Sequence, residues 1–191
     1  MPVLRDACRL VADDRKPLVV PPLRFVFGAD PSCAFCVDQP TAHALIAEVA
    51  ASVAAAGFKK IAIINSSPWN EELCSAAARD LRVSRGLHMF HIHLSAIDLD
   101  FHPLRSRSRR RLQTLLTFLH GSEPEPAPSE GPGKPAAWGD ESVTPLPGPA
   151  LRLDEARAEG ASTLSAAAAR LAKLISDVHD RAPLSAQIRP V

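Results

Sequence analysis

A short run of apolar, mostly β-branched residues, Ile61-Ala62-Ile63-Ile64, constrains the fold more than any other part of the sequence. Such a run, bordered by polar residues, is typical of a strand that is buried on both faces of a parallel sheet. The segment after it, Asn65-Ser66-Ser67-Pro68-Trp69-Asn70, leads into a helix. Ligands of open α/β sheets bind at the carboxyl ends of strands, so this segment is the first candidate for a functional site.

Helical and strand patterns alternate around this central strand. The patterns predict helices over residues 3–14, 39–57, 71–85 and 154–181, and further strands over Leu18-Val19-Val20 and residues 89–94. Asp38 or Gln39 and Asn70 are the predicted N-caps of the second and third helices, and Gly57 and Gly86 are expected to end them. The apolar residues expected to face the core are Leu4, Ala7, Cys8, Leu10 and Val11 in the first helix, Leu45, Val49 and Val53 in the second, and Leu73, Ala77 and Leu81 in the third. Residues 23–39 are expected to form a long loop. The β-α-β-α-β order predicts a parallel sheet with helices on its faces.

The chain has the size of one domain, with 191 residues. We expect an α/β core over residues 1–120, a Pro/Gly-rich insertion or linker over 121–149, a C-terminal helix packing on the core over 150–183, and a tail over 184–191. The net charge of +1 favours neither nucleic acid nor an anionic membrane as a partner. The sequence shows neither a membrane span nor a signal peptide, so a cytoplasmic protein with reduced thiols is expected.

The order of these segments resembles the creatininase family. The resemblance rests on Leu18-Val19-Val20-Pro21-Pro22-Leu23-Arg24-Phe25, a glycine-containing loop, a helix ending in Ala56-Gly57-Phe58 and the strand Ile61-Ala62-Ile63-Ile64-Asn65. It implies a three-layer α/β/α sandwich with a mainly parallel sheet. It also implies a metal-dependent amidohydrolase ancestry and a homo- or hetero-oligomer, with a catalytic creatininase-like subunit as one partner.

The ligand positions of that family differ in this sequence. Family members usually carry Asn-Gly-His-Gly-Gly-Asn after the strand, and the metal-binding histidine corresponds to Ser67 here. Trp69 occupies the position where some members have a metal-binding glutamate. A hydroxyl and an indole do not replace imidazole and carboxylate as metal ligands. The family's Glu-x-His segment with a following Asp, and its later His-Ala-Gly-Glu segment, also have no counterpart, so the dinuclear metal centre is expected to be missing.

The candidate site is a ligand-binding crevice at the carboxyl edge of the sheet. Its predicted residues are Asn65, Ser66, Ser67, Trp69, Asn70 and Asp98. Trp69 either stacks on a ligand or fills the emptied site, and we favour the second role. Ser67 would need a neighbouring base to act as a nucleophile, and the sequence identifies none. Asp98, just beyond a strand, is either a site carboxylate or a turn cap.

Two further clusters offer competing functions. Cys33, Cys36, His91 and His93 could hold Zn or Mn, although ordinary thiols and hydrogen-bonded structural histidines are the simpler interpretation. Arg105, Arg107, Arg109, Arg110 and Arg111 could contact an anion or an acidic partner, or form a solvated face. Nucleic acid is not expected there because no aromatic residues are interleaved.

The leading hypothesis is a creatininase-like protein that lacks the family's metal ligands. It would act without a cofactor, as a non-catalytic or accessory subunit of an amidohydrolase-type assembly or as a small-ligand binder. The alternative is a metal-dependent amidohydrolase that cleaves a linear or cyclic amide C–N bond with an unconventional metal site. A third possibility is a binding module that uses the arginine-rich segment.

Overall fold

A computed structural model describes residues 2–27, 36–99, 114–115, 118–119 and 152–182. The elements in chain order are α1 (Pro2–Leu10), β1 (Val26–Phe27), β2 (Cys36–Val37), α2 (Gln39–Ala55), β3 (Lys60–Asn65), α3 (Glu71–Arg85), β4 (His88–His93) and α4 (Leu153–Asp180). Short 3₁₀ helices occur at Asp13–Arg15, Pro68–Asn70 and Leu94–Ile97. The predicted helices and the two main strands are therefore present, with bounds shifted by a few residues.

Strands β3 and β4 lie side by side and run parallel, and α3 connects them. Their register pairs Ile61 with Met89 at one end and Asn65 with His93 at the other. Strands β1 and β2 form a second parallel pair. The predicted α/β class with a parallel sheet is confirmed, and both strands of the main pair end at the same edge because they are parallel.

Apolar clusters cover both faces of the β3–β4 pair. Side chains alternate along a strand, so Ile63 and Met89 share one face while Ile64 and Ile92 share the other. The first face packs against buried residues of α2 and α3, which include Leu73, Ala77 and Leu81. The second face packs against α1 and α4, through residues that include Val3, Ala7, Leu171 and Ile175. Helices on both faces agree with the α/β class, while the complete three-layer sandwich stays a prediction.

Helix α4 is tied to the rest of the fold at its carboxyl end. The Lys60 ammonium at the start of β3 donates to the backbone carbonyl of His179, and Arg15 forms an ion pair with Asp180 at 2.8 Å. A cation is favourable at this position because the last carbonyls of a helix carry partial negative charge. These contacts set α4 against both the α1 segment and β3. The division of the chain into core, linker and helix stays a prediction, because residues 121–149 lie outside the described ranges.

The predicted apolar stripe of α2 was wrong for Leu45, while Val49 and Val53 are partly buried. The buried residues are Ala42, Ile46, Ala47 and Ala50, whereas Leu45 is 41% exposed. The alanines face inward because their small side chains let α2 lie close to α3 and the sheet. The sequence prediction gave more weight to large apolar side chains and therefore selected Leu45, Val49 and Val53. In α1 the stripe was right for Ala7 and Val11, but Leu10 is exposed.

The prediction of a buried strand at Leu18-Val19-Val20 was also wrong. The segment belongs to no strand, and Leu18 is 67% exposed. Pro17 and Pro21 flank it, and a proline has no backbone N–H to donate to a sheet ladder. Strands β1 and β2 instead lie within the range 23–39 that was expected to be a loop.

Helix ends follow the predicted signals with one exception. Asp38 caps α2 by accepting a hydrogen bond from the Thr41 backbone N–H at 2.9 Å. Gly86 ends α3 in the left-handed conformation, with φ of 62°. Asn70 precedes α3 as predicted, but its side chain makes no capping bond. It donates instead to the Phe25 carbonyl at 3.0 Å, which connects the α3 start to the β1 segment.

Gly160 in α4 provides a test of the packing between α4 and the segment around Thr114. A Cβ at this position would lie 2.5 Å from the Thr114 carbonyl oxygen and 2.6 Å from Phe118 Cβ. Alanine has the better helix propensity, by about 1 kcal/mol. The overlap should outweigh this gain, so Gly160→Ala should lower the free energy of unfolding by about 1–3 kcal/mol.

Urea denaturation followed by circular dichroism measures the effect of Gly160→Ala. Ser165→Ala serves as the control, since Ser165 lies on the exposed face of the same helix. That variant should be neutral or slightly stabilising. Equal or greater stability of Gly160→Ala relative to the unmodified protein would show that α4 does not approach Thr114 this closely.

Candidate functional site

The candidate site lies where β3 and β4 end. Asn65, the last residue of β3, pairs with His93, the last residue of β4. Alternation along the strands places both side chains, together with His91, on the face that α3 covers. Ser75 of α3 contacts both histidines from above that face. The side chains of Asn65, Ser75, His91 and His93 are called the edge cluster below.

Asn65 fixes the loop that follows β3. Its side-chain Nδ2 donates to the Ser67 carbonyl at 2.6 Å, and its Oδ1 accepts from the Ser67 backbone N–H at 3.1 Å. Since the oxygen faces a donor and the nitrogen faces an acceptor, the amide has only one satisfactory orientation. Asn65 is 7% exposed, so these bonds are largely shielded from water. The backbone at Ser67 is consequently held in one conformation at the carboxyl edge.

A chain of hydrogen bonds connects the edge cluster. Asn65 Nδ2 lies 3.4 Å from His93 Nδ1, and Ser75 Oγ lies 3.3 Å from His93 Nε2 and 3.2 Å from His91 Nε2. An amide nitrogen only donates, so His93 Nδ1 accepts and His93 Nε2 carries the proton. Ser75 Oγ then accepts from His93 and donates to His91 Nε2. Because His91 Nε2 accepts this hydrogen bond, the ring proton of a neutral His91 lies on Nδ1.

His91 is held in its neutral form by its surroundings. Burial lowers its pKa, and the nearby His93, Arg82 and Arg79 lower it further. A neutral imidazole whose Nε2 faces a serine hydroxyl is a hydrogen-bond acceptor and a potential base. The two imidazole rings lie 4.9 Å apart between centroids, so protonating both would place like charges in contact. The proximity of His93 therefore adds to the burial that disfavours the charged form of His91.

Two donors beside the edge cluster are buried without a hydrogen-bond partner within the described ranges. They are His91 Nδ1 and Arg82 Nε. A buried donor without a partner loses its hydrogen bonds to water and gains nothing in return, which is why most such groups are paired. A hydrogen-bond acceptor near either atom would therefore be favourable.

The residues predicted for the crevice are found in different environments. Ser66 is exposed and Ser67 is partly buried. Trp69 is 47% exposed, and its predicted role in filling the emptied site stays a prediction. Asn70 is buried, with its side chain bound to the Phe25 carbonyl.

Asp98 lies on the far side of the 3₁₀ helix that follows β4. It forms an ion pair with Arg170 of α4 and adopts the left-handed conformation, with φ of 61°. This contact gives Asp98 a role in attaching α4. The assignment of Asp98 to the ligand crevice stays a prediction.

Sequence reasoning missed Ser75. It lies on the inward half of α3, among the buried residues Leu73, Cys74 and Ala77. The available signal was a polar residue on a helix directly before a strand with alternating histidines. The sequence paired His91 and His93 on one strand face, and the structure confirms their proximity.

The described part of the chain brings together no group of three or more cysteine, histidine, aspartate or glutamate side chains able to hold a metal ion. Cys36 is exposed in β2. Cys33, and the arginines at positions 105, 107, 109, 110 and 111, lie outside the described residues. Cys74 is buried, and burial raises the pKa of its thiol to about 11, which keeps it protonated and unreactive.

Comparison with known protein families identifies the relationship. A family model described as creatininase, creatinine amidohydrolase, matches residues 3–129, about two thirds of the chain. The chain belongs to the creatininase family. The match extends on both sides of the 18–81 range that carries the sequence resemblance. Searches of curated proteins and of solved structures found no match.

The correspondence of Ser67 with the metal-binding histidine of the family stays a prediction from the sequence resemblance. Ser67, which corresponds in the resemblance to the metal-binding histidine, is the residue whose backbone Asn65 holds.

No helix within the described ranges has the length and hydrophobicity needed to cross a membrane.

The lowered pKa of His91 predicts how stability depends on pH. As pH falls below the ordinary value of 6.5, the unfolded chain binds a proton at His91 that the folded chain does not. The free energy of unfolding therefore decreases over this range. His88, whose pKa is lowered by burial, Lys60 and Arg82, should add to the effect.

Melting temperatures measured from about pH 7.5 to about pH 5.5 test this linkage. His91→Gln should show a smaller decrease than the unmodified protein, because glutamine does not titrate. Ser66→Ala, an exposed change in the adjacent loop, should retain the full decrease. An identical pH dependence in His91→Gln would contradict the assignment of a neutral, buried His91.

Proposed function

We propose that this creatininase-family protein binds a small polar ligand at the carboxyl edge of β3 and β4 and does not hydrolyse amides through a family-type metal centre. Two residue types support the second half of this proposal. Ser67 and Trp69 occupy positions at which the family resemblance places a metal-binding histidine and glutamate. A neutral hydroxyl and an indole do not replace the imidazole and carboxylate ligands that such a metal centre uses.

The observation that carries the proposal is the pair of hydrogen bonds from Asn65 to the Ser67 backbone. They hold the loop in one conformation at the position where the sequence resemblance places a metal ligand. Beside it, Ser75, His91 and His93 are connected by hydrogen bonds. Rigid, partly buried donors and acceptors are suited to binding a polar molecule, because little conformational entropy is lost when the ligand arrives.

The alternative function retains metal-dependent hydrolysis. It is favoured by one feature: the Nε2 atoms of His91 and His93 both point at Ser75 Oγ. A Zn or Mn ion could take the place of this oxygen if Cys33, Cys36 or Asp98 supplied further ligands. Such a centre would cleave a linear or cyclic amide C–N bond by activating water.

Metal content and hydrolysis of the full chain distinguish the two functions. After purification without chelators or a histidine tag, elemental analysis should find Zn, Mn and Fe well below one ion per chain. Hydrolysis of creatinine and of simple linear and cyclic amides should equal that of buffer, including when Zn or Mn is added.

A matched pair of variants makes the test sharper. Stoichiometric metal together with amide hydrolysis that His91→Ala and His93→Ala abolish would overturn the proposal and support the alternative. The exposed Ser66→Ala should leave metal content and activity unchanged. Circular dichroism spectra of each variant establish that a loss of activity is not a loss of fold.

We further propose that the protein assembles with a second creatininase-family chain, either a copy of itself or a catalytic relative. The support is the exposed apolar segment Leu18-Val19-Val20 and the exposed Leu45 of α2. Contiguous exposed apolar residues are typical of protein contact surfaces. The predicted contact through the arginines at positions 105–111 would add an electrostatic component.

Light scattering of the purified chain tests the homo-oligomer. Val19→Lys should reduce the measured mass towards that of one chain, because a buried lysine opposes assembly. Thr163→Lys, a partly buried position on α4, serves as a control for added charge. A single-chain mass for the unmodified protein leaves only assembly with a relative, while an unchanged oligomer in Val19→Lys would exclude this segment from the interface.

A further inference from the structure

Two buried hydrogen-bond donors next to the edge cluster need an acceptor. The tautomer order of the cluster places a proton on His91 Nδ1, and Arg82 Nε always carries one. Neither atom has a hydrogen-bond partner within residues 2–27, 36–99, 114–115, 118–119 and 152–182. Because both groups are donors, they cannot satisfy each other. Only a group that accepts hydrogen bonds can satisfy them.

The electrostatic surroundings specify the charge of that acceptor. Arg79 and Arg82 both lower the pKa of His91, and Arg82 also lowers that of His88. These arginines and Ser75 are spaced three and four residues apart, so they follow one face of α3. Neither arginine forms an ion pair with any of the described residues. The nearby carboxylate Asp80 is paired with His43 instead. The result is an excess of positive charge beside the unpaired donors.

We propose that Arg79, Arg82 and His91 bind an anionic oxygen group, a carboxylate or a phosphate, carried by the small ligand. This inference rests on the proposed function and names the chemical class of its ligand. Oxygen anions only accept hydrogen bonds, so they match a donor-only site. Arginine guanidinium groups suit both carboxylate and phosphate because their N–H groups form a planar fork.

Nuclear magnetic resonance titration of the full, ¹⁵N-labelled chain tests the site without any mutation. Inorganic phosphate and acetate are added separately at constant ionic strength, with chloride as the reference anion. The Arg82 Nε and His91 Nδ1 resonances should shift and saturate with at least one of the two anions. The anion that binds with the higher affinity identifies the ligand group, as phosphate if it is inorganic phosphate and as carboxylate if it is acetate. Shifts that follow chloride without saturation would overturn the inference.

A matched pair of variants tests the residues. Arg82→Met should weaken the binding of the effective anion at least about tenfold, because a hydrogen bond to a charged group is lost. Arg9→Met removes the same charge from α1 and should bind as the unmodified protein does. Equal affinity of Arg82→Met would overturn the assignment. If Arg82→Met does not fold, the titration of the unmodified chain decides.

The outcomes separate this inference from the proposed function. A metal-free chain without amide hydrolysis that binds neither anion would refute the anion site alone. A chain with stoichiometric metal and amide hydrolysis dependent on His91 would refute the proposed function. Anion binding would then be judged on the metal-free form, where saturation at Arg82 still supports the site and its absence overturns it.

Discussion

The parallel pairing of β3 with β4 is the constraint on which the other described features depend. Its register brings Asn65 beside His93 at the edge where both strands end. Parallel strands need a crossover, and α3 supplies it while covering one face of the pair. Ser75 reaches both histidines only because α3 lies on that face. The apolar residues on the opposite face are left to bind α1 and α4.

The site and the core share the same strand face. Ile63 and Met89 face α2 and α3 in the apolar cluster, and two residues further along each strand the same face carries Asn65 and His91. The change from apolar to polar side chains takes place within two residues of each strand, beneath one helix. Burial therefore suppresses the charge of His91 while leaving its nitrogen atoms available for hydrogen bonds. A fully exposed histidine pair would titrate independently of the loop and would not hold a fixed tautomer.

Membership of the creatininase family and the departures from its ligand pattern are consistent with a retained scaffold and a changed edge chemistry. Where the resemblance implies a metal-binding histidine, Asn65 holds the Ser67 backbone. The unpaired donors of His91 and Arg82 extend the edge towards a positively charged part of α3, which is why we infer an anionic group in the ligand.

The sequence by itself determined the helices, the two main strands, the helix caps at Asp38 and Gly86, and the location of a polar edge after β3. These features depend on local patterns of hydrophobicity and on residues with special backbone preferences, which neighbouring residues alone specify. Only the tertiary structure decided that Leu45 of α2 is exposed, that Leu18-Val19-Val20 is exposed, and that Ser75 joins His91 and His93. Each of these depends on which element lies opposite, and contacts between residues far apart in the chain are not encoded in local periodicity.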